Sequence, residues 1–166
     1  MCAYRVLLAD DHVMFRQGIK KILEGIDGIN VIGQVGDGLE LLKTLERTKP
    51  DMVILDITMP SLQGIEATRE IKKRHPDVEV LILTMHKNKE YLYHALLEGA
   101  KGYVLKEDAD VELLAAIKAV QCGKKYVSPS ISNELADILT KLRDFSKGET
   151  TFNTRLFWIC CAAKRG

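Results

Sequence analysis

The sequence predicts a doubly wound α/β domain, in which helices cover both faces of a parallel sheet, and three observations support this prediction. Short apolar runs suited to buried strands alternate five times with segments of helical periodicity. Several of these runs end in a polar or charged residue, among them Asp10 and Asp56. Glycine, proline and polar clusters separate the segments, as is typical of loops.

The five predicted strands are short runs of apolar residues. They comprise residues 6–9, 31–35, 52–55, 80–83 and 103–105. The run 52–55 is continuously apolar, which suits a strand buried on both faces. The run 31–35 is interrupted by Gly33 and a glutamine, as is expected of a strand near the edge of the sheet. Five strands fit the flavodoxin-like order 2-1-3-4-5, in which strands 1 and 3 are neighbours.

The predicted helices carry apolar residues at intervals of three or four positions. Their inner faces are Phe15, Ile19, Ile22 and Leu23; Leu41, Leu42 and Leu45; Ile65, Thr68 and Ile71; Leu92, Ala95 and Leu96; and Leu114, Ile117 and Val120. Glycine or proline ends each of these segments. A sixth helix is predicted over residues 128–143, beginning at Ser128-Pro129. Its apolar stripe is Ile131, Leu135, Ile138, Leu139 and Leu142.

Composition excludes several functional classes. Lys and Arg number 24 against 23 Asp and Glu, so the net charge of +1 gives no electrostatic footprint for nucleic acid or an anionic membrane. The sequence opens directly into a predicted strand, so we expect no signal peptide, and no apolar run approaches the roughly 20 residues that a membrane span needs. We therefore expect a cytoplasmic protein that does not contact a membrane. The cysteines show no pairing framework and are expected to be reduced; they are Cys2, Cys122, Cys160 and Cys161.

Polar side chains end four of the five strands at the edge where open α/β sheets bind ligands. Asp10 and Asp11 follow strand 1, and Asp56 follows strand 3, so three carboxylates are expected to converge. Thr84 and Lys106 end strands 4 and 5 at the same edge. Asp56 taken alone is equally compatible with a turn cap. The five residues together favour a ligand site.

The chemistry of such a cluster favours a divalent cation and a phosphoryl group. Carboxylates held close together repel one another unless a cation compensates them. An oxygen ligand set suits Mg²⁺, with Mn²⁺ as a substitute, and the absence of His or Cys at the strand ends argues against zinc. A carboxylate beside a cation can attack phosphorus to form an acyl phosphate. Lys106 and Thr84 then supply a charge and a hydroxyl for the phosphoryl oxygens. Nucleotide binding is not expected, because the sequence has no Walker-type glycine loop.

These motifs resemble the receiver domain of bacterial two-component response regulators over about residues 4–130. The finer motifs resemble receivers that carry a LuxR-type helix-turn-helix output domain. The motifs that carry the resemblance are Leu8-Ala9-Asp10-Asp11-His12, Asp56 with Met59-Pro60, Gly64-Ile65-Glu66-Ala67, Leu83-Thr84-Met85-His86 and Gly102-Tyr103-Val104-Leu105-Lys106-Glu107.

The resemblance implies a role for each site residue. It implies that Asp56 accepts a phosphoryl group from a sensor histidine kinase. It further implies that Asp10, Asp11, Asp56 and the backbone carbonyl of Thr58 hold Mg²⁺. The matched roles of the remaining residues are phosphoryl contact for Thr84 and Lys106, and the conformational switch for Thr84 and Tyr103.

The predicted domain organisation is a receiver over residues 1–124 and a helical linker with an apolar tail over residues 125–166. The tail is too short to form its own core or the family's output domain. A truncated or frame-shifted remnant and a native tail both remain open. We expect no specific DNA binding by this chain, although the parent gene would regulate transcription. The apolar stripe of the sixth helix must be buried on this domain or on a second copy, which predicts a homodimer.

A hydrolase that uses a nucleophilic aspartate and Mg²⁺ is the alternative function. By family resemblance, such enzymes carry a second acid two residues after the nucleophile. Thr58 occupies that position, so no side-chain acid is available there. We therefore expect a phosphoacceptor with slow self-dephosphorylation at most, and no enzyme.

Overall fold

A computed structural model describes residues 3–132. Its strands are β1 (Tyr4–Ala9), β2 (Ile29–Val35), β3 (Met52–Leu55), β4 (Glu79–Thr84), β5 (Gly102–Leu105) and β6 (Tyr126–Val127). Its α-helices are α1 (Val13–Glu24), α2 (Gly38–Thr48), α3 (Gly64–Arg74), α4 (Lys89–Leu97), α5 (Ala109–Gln121) and α6 (Pro129–Ser132). A 3₁₀ turn, Lys106–Asp108, joins β5 to α5. Within the described residues, no helix is long and apolar enough to cross a membrane.

The strands form one parallel sheet in the order β2-β1-β3-β4-β5-β6. The predicted order of the first five strands is confirmed, and β1 and β3 are neighbours, with Ala9 paired to Leu55. Strand connections run through helices, which is the arrangement that parallel pairing requires. The carboxyl ends of all strands therefore meet at one edge.

The sheet has one more strand than the sequence predicts. Tyr126 and Val127 pair with Gly102 and Tyr103 at the β5 edge, in a segment predicted to be a helical linker. The Ser128 N–H then donates to the Tyr103 carbonyl at 2.9 Å. Two residues are too few to show strand periodicity, so only the open edge of β5 decides their conformation.

Two apolar clusters lie on opposite faces of the sheet, because successive strand residues point to opposite sides. Leu7, Val53 and Ile82 belong to one cluster, and Leu8, Ile54 and Leu83 to the other. The predicted inner faces of the helices are largely correct. Two residues differ: Ile22 is 37% exposed, and Leu113 is buried on α5 where the pattern predicts Leu114. The helical period of 3.6 residues fixes the centre of a buried face only to within one residue, so adjacent leucines such as Leu113 and Leu114 can be exchanged in the assignment.

The start of the sixth helix packs on the domain itself. Ile131 is buried in the same cluster as Tyr103, and the Ser128 hydroxyl donates to the Glu112 carboxylate. The Ser130 hydroxyl donates to Asp108 at 3.1 Å. The rest of the predicted stripe, from Leu135 onward, and the apolar tail lie outside the described residues.

Candidate functional site

Two predicted site carboxylates lie side by side at the carboxyl edge of the sheet. Asp10 follows β1 and Asp56 follows β3, and both are buried. Their backbones are fixed by the continuing ladder: the Asp56 N–H donates to the Ala9 carbonyl at 2.9 Å, and the Asp10 N–H donates to the Val35 carbonyl at 3.1 Å. The side chains therefore converge because their strands are neighbours.

Lys106 links the two buried carboxylates. Its Nζ lies 2.7 Å from Asp10 Oδ2 and 2.8 Å from Asp56 Oδ2. The lysine itself is only 8% exposed, and its ammonium lies 4.7 Å from the centre of the Phe15 ring. One ammonium thus faces two buried carboxylates, with Asp11 as a third nearby, so the site keeps an excess of negative charge.

Asp11 and His12 form the solvent-exposed rim of the acidic cluster. His12 Nδ1 lies 2.9 Å from Asp11 Oδ1 and 3.2 Å from Asp10 Oδ1, and the His12 N–H donates to Asp10 Oδ1 at 2.8 Å. The sequence favours His12 as a surface residue that starts a helix. It is the N-cap of α1 and its side chain is 63% exposed, but it also belongs to the cluster. The one feature of the sequence that could have indicated this is the position of His12 directly after Asp10 and Asp11.

The donor set fits a hard divalent cation. Asp10, Asp11, His12 and Asp56 each offer a ligand atom, and these atoms all lie within 4.8 Å of one another. Carboxylate oxygens are the ligands that Mg²⁺ prefers, and Mg²⁺ needs only one or two of them from the protein beside water and phosphate. The residues present therefore match the predicted cation.

The loop after Asp56 packs closely against the acceptor strand. The Gly64 N–H donates to the Ile57 carbonyl at 2.8 Å, and a Cβ at Gly64 would lie 2.2 Å from the Asp56 carbonyl oxygen. Only glycine fits at that position. Thr58 is exposed at the mouth of the site, and its side chain is hydrogen-bonded to His86.

His86 connects the acceptor loop to both predicted switch residues. Its Nε2 lies 2.8 Å from Thr58 Oγ1, and its N–H donates to Thr84 Oγ1 at 3.3 Å. Its carbonyl accepts from the Tyr103 hydroxyl at 2.8 Å, and its ring lies 4.7 Å from that of Tyr91. The sequence suggests a solvent-facing histidine, because nothing in the pattern shows which loops become neighbours.

Tyr103 is fully buried, and Thr84 is buried at the end of β4. Burial raises the pKa of Tyr103, and Tyr91 and Asp56 raise it further. The hydroxyl therefore stays protonated at physiological pH and can donate to His86. The resemblance implies that Tyr103 is one of the two residues of the conformational switch. In this structure, its side chain is already buried.

The family to which this chain belongs follows from comparison with known protein families. Residues 6–118 match the family described as the response regulator receiver domain. The chain belongs to this family. The receiver fold and the two-component class are thereby confirmed, whereas the individual residue roles stay predictions.

Curated relatives and solved structures agree with this assignment. Response regulator GacA of Pseudomonas viridiflava is 41% identical over 132 residues, which is 80% of this chain and 62% of GacA. The chain thus spans about three fifths of that relative's length. A LuxR-family response regulator from Aurantimonas sp. SI85-9A1 has a TM-score of 0.78 at 36% identity, covering 81% of this chain and 96% of that one. This similarity confirms the LuxR-type subfamily.

A second solved structure was determined with a phosphoryl mimic. It is the isolated receiver domain of RcsB from Salmonella enterica serovar Typhimurium in the presence of the phosphomimetic BeF₃⁻. The TM-score is 0.75 at 34% identity, covering 79% of this chain and 97% of that domain. The receiver fold of this chain is therefore close to one studied with that mimic.

Proposed function

We propose that Asp56 is the phosphoryl acceptor of this receiver domain. The observation that supports the proposal is the position of Asp56: a buried carboxylate, beside Asp10, with the Lys106 ammonium at 2.8 Å. A sensor histidine kinase is the proposed donor. Incubation with acetyl phosphate and Mg²⁺, followed by intact-mass spectrometry, tests the proposal. We expect one phosphoryl group per chain.

The proposed reaction transfers one phosphoryl group from the donor to the Asp56 carboxylate. A carboxylate oxygen of Asp56 forms a bond to phosphorus, the bond from phosphorus to the donor's leaving atom breaks, and its electron pair departs with the donor. Lys106 and Thr84 are proposed to contact the phosphoryl oxygens by charge and by hydroxyl donation. Lys106 already lies at the carboxylate, so it needs no rearrangement to reach a phosphoryl group there.

Asp10, Asp11, Asp56 and the Thr58 carbonyl are the proposed ligands of Mg²⁺, with Mn²⁺ as a substitute. When bound, the cation neutralises the charge on the transferring phosphoryl oxygens. The carboxylates of this chain would supply oxygen ligands to the cation. Asp11 is exposed to solvent, so the cation can reach the site from that side.

The proposed activity is phosphoryl acceptance without true hydrolysis. The alternative hydrolase class uses a second acid, two residues after its nucleophile, for general acid–base catalysis. Thr58, two residues after Asp56, offers only a hydroxyl, and it is hydrogen-bonded to His86. Loss of the phosphoryl group to water is therefore expected to be slow.

The proposed readout is a rearrangement of α4, β5 and α5, over residues 91–118. A phosphoryl group adds roughly −1.5 to −2 charge near neutral pH. The Thr84 side chain, whose hydroxyl accepts from the His86 N–H, would rotate to donate its hydroxyl to a phosphoryl oxygen. That change perturbs His86, and His86 is the hydrogen-bond partner of Tyr103. The altered surface is proposed to control partner binding or dimerisation and, through it, transcription.

Neutralising Asp11 tests the metal ligands. We expect Asp11→Asn to raise the Kd for Mg²⁺ about tenfold, since a carboxylate ligand is lost. The metal-free protein should gain up to about 1 kcal/mol in unfolding free energy, because like charges are relieved. Isothermal titration and urea unfolding in EDTA measure the two effects. Unchanged Mg²⁺ affinity would remove Asp11 from the site; Asp27→Asn, an exposed aspartate beyond α1, is the matched control.

A homodimer is proposed to bury the tail and the part of the apolar stripe from Leu135 onward, since Ile131 packs on its own domain. Sedimentation with and without beryllofluoride should show a larger species for the full chain, with a mass or affinity that the mimic alters. A version ending at Ser132 keeps β6 and Ile131 but lacks the remaining stripe, and we expect it to dimerise less. If both versions are monomeric under both conditions, the dimer proposal fails.

A further inference from the structure

Arg16 reaches from helix α1 to the backbone of the acidic turn. It is half-buried, and its Nη1 donates a hydrogen bond to the carbonyl oxygen of Asp10. The guanidinium thus contacts the main chain of a proposed metal ligand and leaves the carboxylate of that residue to Lys106 and His12.

The same guanidinium lies against the end of the neighbouring strand. A Cβ at Gly36 would lie 3.3 Å from Arg16 Nη1 and 3.7 Å from the Asp10 carbonyl oxygen. The Asp10 N–H donates to Val35, the residue before Gly36. The Asp10 peptide groups are therefore fixed on one side by β2 and on the other by Arg16.

Arg16 has no carboxylate partner within the described residues. None of the ion pairs among residues 3–132 includes it, and its Nε is buried without a hydrogen-bond partner. A buried, unpaired donor on a cation is costly. This cost brings no benefit to helix α1 itself. It is offset if the guanidinium holds the Asp10-Asp11 turn, whose carboxylates repel the other carboxylates of the site.

We propose that Arg16 is a positioning residue for the cation site, acting through the backbone of Asp10. It holds the Asp10-Asp11 turn so that both carboxylates stay directed toward Asp56. This inference rests on the proposed Mg²⁺ site of the receiver. Outer-shell contacts of this kind typically change metal affinity by about 10- to 100-fold when they are removed.

Charge and geometry make opposite predictions for Arg16, which makes the proposal testable. A nearby positive charge alone disfavours a cation, so its removal would tighten Mg²⁺ binding. A positioning hydrogen bond favours the cation, so its removal would weaken binding. Lys keeps the charge without the planar guanidinium fork, and Met removes both.

The experiment is isothermal titration of Mg²⁺ into the full chain and its Arg16→Lys and Arg16→Met variants, with thermal unfolding in EDTA as the folding check. We expect Arg16→Met to raise the Kd about tenfold and Arg16→Lys to give a smaller rise. In acetyl phosphate labelling, the Mg²⁺ concentration for half-maximal rate should rise by the same factor, with the rate at saturating Mg²⁺ unchanged. Arg5→Met is the control, because Arg5 pairs with Asp51 at the opposite edge of the sheet.

Three results would overturn the proposal. Tighter binding by Arg16→Met with unchanged binding by Arg16→Lys would show that only the charge acts. Unchanged Mg²⁺ affinity in folded variants, even with a lower unfolding temperature, would make Arg16 a stability residue alone. If Arg16→Met does not fold, a wild-type Kd in Arg16→Lys together with an unchanged Mg²⁺ dependence of its labelling would equally refute the proposal. A wild-type chain that binds no Mg²⁺ would instead refute the metal site of the proposed function.

Discussion

Replacement of Asp56 by asparagine is expected to abolish phosphoryl incorporation from acetyl phosphate and Mg²⁺. The amide is close in shape to the carboxylate but lacks the nucleophilic anionic oxygen, so the acyl phosphate cannot form there. Intact-mass spectrometry after incubation with the donor measures the result. The fold should persist, because the amide oxygen of the variant can still accept from the Lys106 ammonium, which also keeps Asp10 at 2.7 Å.

The matched control for this substitution is Asp77→Asn. Asp77 is exposed in the turn between α3 and β4, at the opposite edge of the sheet from Asp56. We expect this variant to incorporate one phosphoryl group at the wild-type rate. Undiminished labelling of the Asp56 variant would place the acceptor elsewhere, with Asp10 and Asp11 the next residues to test.

The second large effect is expected from Lys106→Met. Met fills a similar volume but leaves the two buried carboxylates of Asp10 and Asp56 without their shared cation. Removing one partner of a buried ion pair typically costs about 3–5 kcal/mol, and we expect a loss of that order in the unfolding free energy of the metal-free protein. Mg²⁺ should restore part of it, because a cation that binds only the folded state stabilises that state. Urea unfolding in EDTA and in saturating Mg²⁺ measures both quantities.

Lys72→Met separates this charge effect from the general cost of losing a partly buried, hydrogen-bonded lysine. The Lys72 ammonium donates to the Val78 carbonyl at 2.7 Å and pairs with Glu79 at 3.2 Å, away from the acidic cluster. Its loss is expected to destabilise the protein equally with and without Mg²⁺. A Lys106 variant that behaves in the same way, or that is as stable as the wild type, would contradict the role of Lys106 as counter-ion.

Much of the fold follows from local pattern. Four consecutive apolar residues before Asp56 are enough to indicate a strand buried on both faces, and that strand is found as Met52–Leu55. Because parallel strands align their carboxyl ends, the strand order also predicts that Asp10 and Asp56 converge. The positions of Thr84 and Lys106 at the carboxyl ends of β4 and β5 follow from the same rule.

Contacts between loops do not follow from local pattern. The His86 carbonyl accepts a hydrogen bond from the Tyr103 hydroxyl, and the His86 ring is hydrogen-bonded to Thr58, 28 residues away in the sequence. Neither periodicity nor a motif indicates these two contacts. Strand β6 is similar, because Tyr126–Val127 is a strand only where the edge of β5 is available. The state of Tyr103 is another case: its burial depends on the positions of α4 and the His86 carbonyl.

The sequence by itself determined the class of this protein, the order of its first five strands and the acids at the carboxyl edge of the sheet, because those depend on hydrophobic period and on strand ends. Only the tertiary structure decided which charges compensate each other. Lys106 lies between Asp10 and Asp56 instead of reaching solvent, and Arg16 bonds the backbone of Asp10 from another element. Such contacts join residues that are distant in the chain, and their energies depend on distance and burial that no local spacing encodes.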